Sequence, residues 1–401
     1  MPRTPRFLDA GAAAAELGVT LPTLYAYVSR GLVRSEPGTG KSRARRYHAE
    51  DVRRLKARRE QRRDPEQAAR SALDLGAPVL ESAVTLIDGG RFFYRGHDAT
   101  ELARTRTLEE VAALVWTGDA DAPPDPAALE AAGSSPDGWD AAHPAESFQR
   151  VLARAATEEP NAYDLRPRAV VRSGFRILRL MGAAVAGEAP AGVPLAEVLR
   201  RGWGAEEGAR GLLDAALVVC VDHELNVSAF TARCAASAGA TPYGAVVAGL
   251  AALGGARQSG GEVERVEALF DEAERTDVPA MLASRLRRGE GIPGIGHPLY
   301  PEGDPRGAAL LELLRAADPR SPALLLAERV AGAAGELLGE RPVVDFGLVA
   351  LARALRLPPR SALTLFALGR TVGFVAHALE QYAAGRAIRP RARYTGPPPP
   401  A

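Results

Sequence analysis

Gly294 to Arg306 reads GIGHPLYPEGDPR, and the reading of this stretch decides the fold and chemistry of the chain around it. A histidine follows a Gly-x-Gly pair, and an Asp-Pro-Arg ends nine residues beyond it. Glycines let a main chain approach a ligand closely. His297 can donate or accept a proton near neutral pH, and Arg306 can hold a carboxylate with a bidentate fork. The loop therefore suits a small organic anion.

At 401 residues the chain has room for two or three domains and a large core. Enrichment in Ala and Leu with few β-branched runs points to helices. No window reaches eighteen uninterrupted apolar residues and the N-terminus lacks an apolar signal core, so a cytoplasmic protein with no membrane partner is expected. Cys220 and Cys234 are the only cysteines, too few for a disulfide framework. The only lysines are Lys41 and Lys56, which removes Schiff-base chemistry and a Walker-type phosphate loop from everything after them. The histidines are scattered singly without metal-ligand spacing, so a metal-free site is expected. Charge is divided unevenly. Met1 to Arg63 holds 15 basic and 6 acidic residues, a net of +9, so with +1 for the whole chain the remainder carries −8. Such a split signals a nucleic-acid-facing module at the N-terminus.

Other blocks accompany the opening stretch: LIDG at Leu86 to Gly89, YRGHDATELA at Tyr94 to Ala103, DHELN at Asp222 to Asn226, VVDF at Val343 to Phe346, GRTVGFVAHALEQ at Gly369 to Gln381, and IRPRARYTGP at Ile388 to Pro397. In type and order they resemble the blocks of citrate synthases. The resemblance implies a mainly α, two-domain helical body over residues 76–401, with a small domain at about 260–363 inserted in a larger one. It also implies condensation of an acyl-CoA, acetyl-CoA first, with oxaloacetate to give citrate and free CoA in the tricarboxylic acid cycle, with no permanently bound cofactor. Asp345 matches the general base, and its apolar neighbours would raise its pKa by desolvation. His297 matches the group acting on the oxaloacetate carbonyl, and His223 a substrate-binding histidine. Arg306, Arg370 and Arg389 match the carboxylate-binding arginines, with Arg389 reaching across from the partner in a homodimer. Arg287 and Arg288 lie where the family places basic residues near CoA. His377, seven residues after Arg370, reads as structural.

One block departs from the family. A second catalytic histidine is expected in a Trp-Gly-Pro-x-His-Gly-Gly type motif, and aligning Ala248 to Gly261 without gaps puts Gln258 there and Ser259 at the first glycine. An amide can donate a hydrogen bond to an enolate oxygen but cannot carry a proton. Sliding by one residue brings Arg257 to that place, and the sequence leaves the two open.

Before the body, residues 1–63 are similar in order and lengths to the winged helix-turn-helix domains of the MerR family. Phe7 to Leu17 reads as one helical pattern, Thr20 as the N-cap of a second through Val28, and Gly40 to Tyr47 as a basic wing. Thr23, Tyr25, Arg30, Lys41, Arg43, Arg45 and Arg46 are the candidates for meeting duplex DNA. Residues 64–75 read as a linker. Within the body, Leu86 to Gly96 reads as a hairpin, Thr107 to Gly118 as an amphipathic helix, and Asp119 to Pro144 as a flexible surface excursion. Three functions remain open: a condensing enzyme with a fused helix-turn-helix, a DNA-binding regulator that senses oxaloacetate, citrate or acyl-CoA, and an enzyme whose extension only assists assembly.

Overall fold

A computed structural model describes residues 7–37, 45–49, 51–53, 55–56, 80–125, 129–132 and 139–397. The chain divides into two compact units, Met1–Glu81 and Ser82–Ala401. The expected linker, residues 64–75, lies outside the described residues.

In the first unit, strands β1 (Phe7–Leu8), β2 (Ser35–Pro37) and β3 (Arg45–His48) form an antiparallel sheet in the order β1-β3-β2. Helices α1 (Ala10–Leu17) and α2 (Leu21–Ser29) pack on one another. The single helical pattern expected from Phe7 is thus divided. Asp9 accepts from the Ala12 backbone N–H and starts α1, leaving Phe7 and Leu8 to pair with His48 and Tyr47. The small core comprises Ala13, Leu17, Leu24, Val33, Tyr47, Val52 and Leu55. Buried Asp51 closes it by accepting from the Arg34 backbone N–H at 2.8 Å and from its Nε at 2.9 Å. These two bonds hold the carboxyl of Asp51 below its ordinary range, although burial opposes them.

The second unit is mainly helical. It opens with the expected hairpin, β4 (Thr85–Asp88) and β5 (Arg91–Tyr94), followed by a short β6 (His97–Asp98). Short helices Ala99–Thr105 (α3) and Leu108–Thr117 (α4) follow. A capping box between Thr107 and Glu110 starts α4, and Gly118 ends it. This helix is not amphipathic, as its pattern suggested. Leu108, Glu109 and every residue from Val111 to Trp116 are buried, because α4 runs inside the body with the Trp116 indole donating to the Val372 carbonyl at 2.8 Å. The described part of the expected surface excursion is anchored. Ala132 pairs with Ala189, and buried Arg179 donates to the carbonyls of Glu130, Pro190 and Val193.

At the centre lies the last helix, Ser361–Ala384. It is the one helix among the described residues long and apolar enough to cross a membrane, and its most apolar 18-residue stretch is 94% buried within the body. Packed around it are the helices Pro144–Glu158, Pro167–Ala186, Ala209–Val219, Val227–Ser237 and Pro242–Leu253, with Phe148, Val151 and Leu152 facing inward as their spacing predicts. A second group comprises Ser259–Ala273, Val278–Arg287, Pro305–Ala317, Pro322–Leu338 and Val344–Ala354, whose members pack on one another. Close approach at the centre depends on Gly369 and Gly373. A β-carbon on Gly369 would collide with the Leu217 carbonyl and Cys220, and one on Gly373 with Val221 and Asp222. The central helix therefore lies directly on the end of Ala209–Val219, and this contact carries Arg370 to the Cys220 carbonyl. Gly369→Ala is expected to destabilise the body by about 1–3 kcal/mol through overpacking, read as a lower urea midpoint without a change in m-value.

Candidate active site

The Gly294 stretch becomes a loop strapped to the segment before Asp345. Gly296 N–H donates to the Arg341 carbonyl at 2.9 Å, and Val343 N–H donates to the Gly294 carbonyl at 2.9 Å. Between these bonds Ile295 pairs with Pro342. His297 leaves one strand of this short ladder, and Asp345 follows the other as the second residue of the helix Val344–Ala354. At the end of the loop, Asp304 performs three tasks. It caps the helix Pro305–Ala317 by accepting from Arg306 N–H at 3.0 Å, accepts from Val344 N–H at 3.2 Å at the start of Asp345's helix, and holds the Arg306 guanidinium at 3.0 and 2.7 Å.

His223 arrives from the other side, on the turn after Ala209–Val219. Its neighbour Asp222 is buried and fixed by the Thr85 hydroxyl at 2.6 Å and by His377 Nε2 at 3.1 Å. The Tyr94 hydroxyl holds the same turn, donating to the Val218 carbonyl at 3.0 Å. Glu224, just beyond, adopts a left-handed φ of 54°, a conformation a non-glycine residue takes only where its surroundings enforce it. The structural role read for His377 is thus a specific one: it is the buried counterpart that keeps Asp222 below the ordinary carboxyl range against the opposing effect of burial.

Three rings converge. His223 and His297 lie edge to face with centroids 5.3 Å apart, and Tyr300 sits 5.2 Å from His297. The Tyr300 hydroxyl meets His223 Nε2 at 2.8 Å, and the Arg306 guanidinium lies 5.8 Å from the Tyr300 ring centre. Burial depresses both histidines, His223 strongly, and Arg306 adds to the effect on each. Both rings are therefore neutral near pH 7. His297 Nδ1 accepts from the Leu299 backbone N–H at 3.2 Å, so its proton sits on Nε2, where it can be donated to a carbonyl oxygen.

The charges around these rings are unbalanced. Arg306 is paired with Asp304, which raises its pKa against the opposing effect of burial. Among the described residues Arg370 has no carboxylate within salt-bridge distance, although Asp222 acts on it from farther away. It is fully buried, donates Nε to the Cys220 carbonyl at 2.8 Å, lies over the Phe366 ring, and leaves both terminal nitrogens without a partner. Asp345 has one carboxylate oxygen buried without a partner. Desolvation pushes its pKa up to about 7, opposed by Arg306 and reinforced by Glu262 and Asp304. Such a group can both take and return a proton at neutral pH.

The remaining candidates lie in other surroundings. Gln258 is half-buried at the N-cap of Ser259–Ala273, whereas Arg257 is exposed, which favours Gln258 of the two alternatives. Gly260 and Gly261 have no room for a β-carbon, pressed on Gly254 and Ala256. This close-approach pair sits one residue later than the ungapped alignment assumes, so Ser259 directly precedes it. Arg389 is exposed on the segment after the central helix and does not join the other arginines within its own chain. Arg287 and Arg288 are exposed, and Arg288 is engaged by Glu290 at 2.6 Å and by Ser284. In the first unit Tyr25 and Arg30 are exposed on or just after α2, and the Thr23 hydroxyl bonds that of Thr20. Arg45 is held by Ser35, Arg46 stacks 4.8 Å from the Phe7 ring, and Lys41 and Arg43 lie outside the described residues.

A family model for "Citrate synthase, C-terminal domain" matches residues 73–391. The chain belongs to the citrate synthase family. It is 31% identical over 359 residues to the citrate synthase of Haloferax volcanii, covering 80% of this chain and 94% of that one. It is 33% identical over 185 residues to citrate synthase 2 of Bacillus subtilis, covering 45% of this chain and 50% of that one. With several curated relatives, that one included, the match spans about half of their length. A crystal structure of the Thermotoga maritima citrate synthase superposes with a TM-score of 0.67 at 25% identity, over 80% of this chain and 94% of that one. A model for "MerR HTH family regulatory protein" matches residues 9–64, so a MerR-family helix-turn-helix precedes the citrate synthase body.

Sequence reasoning passed over Tyr300, Asp304 and Glu262. Tyr300 stood in the quoted loop as an aromatic three residues after the histidine; nothing in the spacing announced its bond to His223. Replacing Asp304 by asparagine removes the charge opposite a buried guanidinium and weakens the caps of two helices. Asp304→Asn is expected to lose about 3–5 kcal/mol in calorimetric unfolding.

Proposed function

We propose that the body condenses an acyl-CoA, acetyl-CoA first, with oxaloacetate, and that it does so slowly. The observation that carries this reading is the presence, in one body, of a buried Asp345 whose pKa is pushed up to about 7 and of Arg370, a buried cation whose terminal nitrogens have no partner among the described residues. The first suits removal of a proton from a thioester methyl group, and the second suits a carboxylate of a dianion. In this scheme Asp345 takes the methyl proton and neutral His297 donates Nε2–H to the ketone oxygen. Arg306, Arg370 and His223 orient oxaloacetate. Gln258, or Ser259 beside it, stands where an imidazole would stabilise the enolate.

Arg389 is proposed to complete the neighbour's pocket in a homodimer, which a monomer in sedimentation at micromolar concentration with full oxaloacetate affinity would refute. The segment at about 260–363 is proposed as the small domain that closes on the substrate, and Arg287 as a contact for a CoA phosphate.

The test is an assay for free CoA with oxaloacetate and several acyl-CoAs. Wild type is expected to turn over below about 1 per second, with the rate rising through pH 7 as Asp345 loses its proton. Gln258→His and Ser259→His, made separately, address the missing donor. The variant that restores it should raise kcat by up to about 100- to 1,000-fold, with oxaloacetate affinity little changed. Ordinary wild-type rates that both substitutions reduce would overturn the argument for an impaired catalyst.

A second reading, a DNA-binding regulator whose body senses oxaloacetate, citrate or an acyl-CoA, is favoured by the helix-turn-helix and its excess of positive charge. The full chain is then expected to bind duplex DNA with a log-log salt slope of about −0.9 per phosphate neutralised. Absence of binding at low salt would leave the extension as an assembly module.

A further inference from the structure

We propose that Glu262 is a positioning residue of this site, fastening the His297 loop to the helix Ser259–Ala273 and setting a negative charge beside the general base. The inference rests on the role read above for Asp345. Glu262 Oε1 accepts from the Gly294 backbone N–H at 2.6 Å, and Oε2 meets Arg265 Nη2 at 2.5 Å. Arg265 also donates to the Ala256 carbonyl at 2.9 Å, so the carboxylate is braced from the side away from the loop. One turn further on, Val266 lies against Gly294, as does the β-carbon of Phe346, the residue after the base. Phe346 in turn packs on Phe270 of Glu262's helix with ring centres 4.9 Å apart. Three elements thus meet at Gly294: the helix of Glu262, the loop that presents His297, and the helix that presents Asp345.

The ionisable groups that act on Asp345 come from each element around it. Arg306 and Asp304 stand at the start of Pro305–Ala317, Glu262 on its own helix, and Cys220 at the end of Ala209–Val219. Arg306 and Asp304 are bonded to one another, and burial pushes the Cys220 thiol up to about 12, so it is neutral. Glu262, itself paired with Arg265, is the further negative charge that acts on Asp345. Its sign opposes ionisation of Asp345, in the same direction as desolvation. A plain latch for Gly294 N–H needs only an acceptor, which an amide oxygen supplies equally. The charge is what distinguishes a group that tunes the base.

Glu262→Gln keeps the acceptor and removes the charge. Titration of Asp345 is read from its carboxyl stretch in infrared difference spectra, each protein being compared with its Asp345→Asn counterpart. The midpoint is expected to fall in Glu262→Gln by on the order of half to one pH unit. The acid limb of kcat/KM for CoA release should move down with it, while KM for oxaloacetate changes less than about twofold because the loop remains latched. Glu262→Ala, which removes both charge and acceptor, should show the same fall in midpoint together with a raised KM. An unchanged midpoint in Glu262→Gln overturns the proposal. The infrared titration needs no turnover, so an inactive wild type would refute the condensing function and leave this test intact.

Discussion

Arg306 holds a positive charge in the interior, with its side chain 3% exposed, and the site is arranged around making that possible. An unpaired guanidinium there would be costly enough to expel itself or unfold its surroundings. Asp304 prevents this with two bonds at side-chain exposure of 0%. Because the same carboxylate also accepts from Arg306 N–H and Val344 N–H, the pair cannot form unless two helices begin at the right place. The strap between Gly294–Gly296 and Arg341–Val343 then follows. Local geometry of the loop, the placement of the base and the burial of a cation are one constraint.

That constraint explains what the sequence made legible and what it did not. His297, Arg306 and Asp345 could be read because each lies in a short block whose composition states its environment: glycines around the histidine, apolar residues around the aspartate. The tuning of Asp345 by desolvation followed from its neighbours alone. Asp304 was visible as one letter of Asp-Pro-Arg, yet its link to Val344 spans forty residues and depends on tertiary packing that no local pattern encodes. Glu262 and Tyr300 escaped for the same reason, since their partners, Gly294 N–H and His223, come from other elements. The helix Leu108–Thr117 misled because Glu109 and Glu110 suggest a wet face. Glu109 is in fact buried and accepts from the Leu195 N–H at 2.7 Å.

Arg370 presents the opposite case to Arg306. Its terminal nitrogens have no partner and its pKa is lowered by burial, so the protein alone does not satisfy it. A fold retains such a group only where packing elsewhere is ample, and here the contacts of a 24-residue central helix supply that packing. The position favours any anion able to reach it, since a ligand carboxylate would replace the missing hydrogen bonds.

The buried cations and the candidate catalytic positions are held by different elements of the molecule. The cations stand on the central helix and at the start of Pro305–Ala317, and the base on Val344–Ala354, all fixed by the Asp304 network and by glycine-mediated contact. Gln258 and Ser259 stand apart, at the beginning of Ser259–Ala273. That helix meets the loop and the helix of Asp345 through Glu262, Val266 and Phe270, one to three turns beyond its start. A substitution at Gln258 or Ser259 removes none of the hydrogen bonds given above for the Asp304–Arg306 pair, the strap or Arg370.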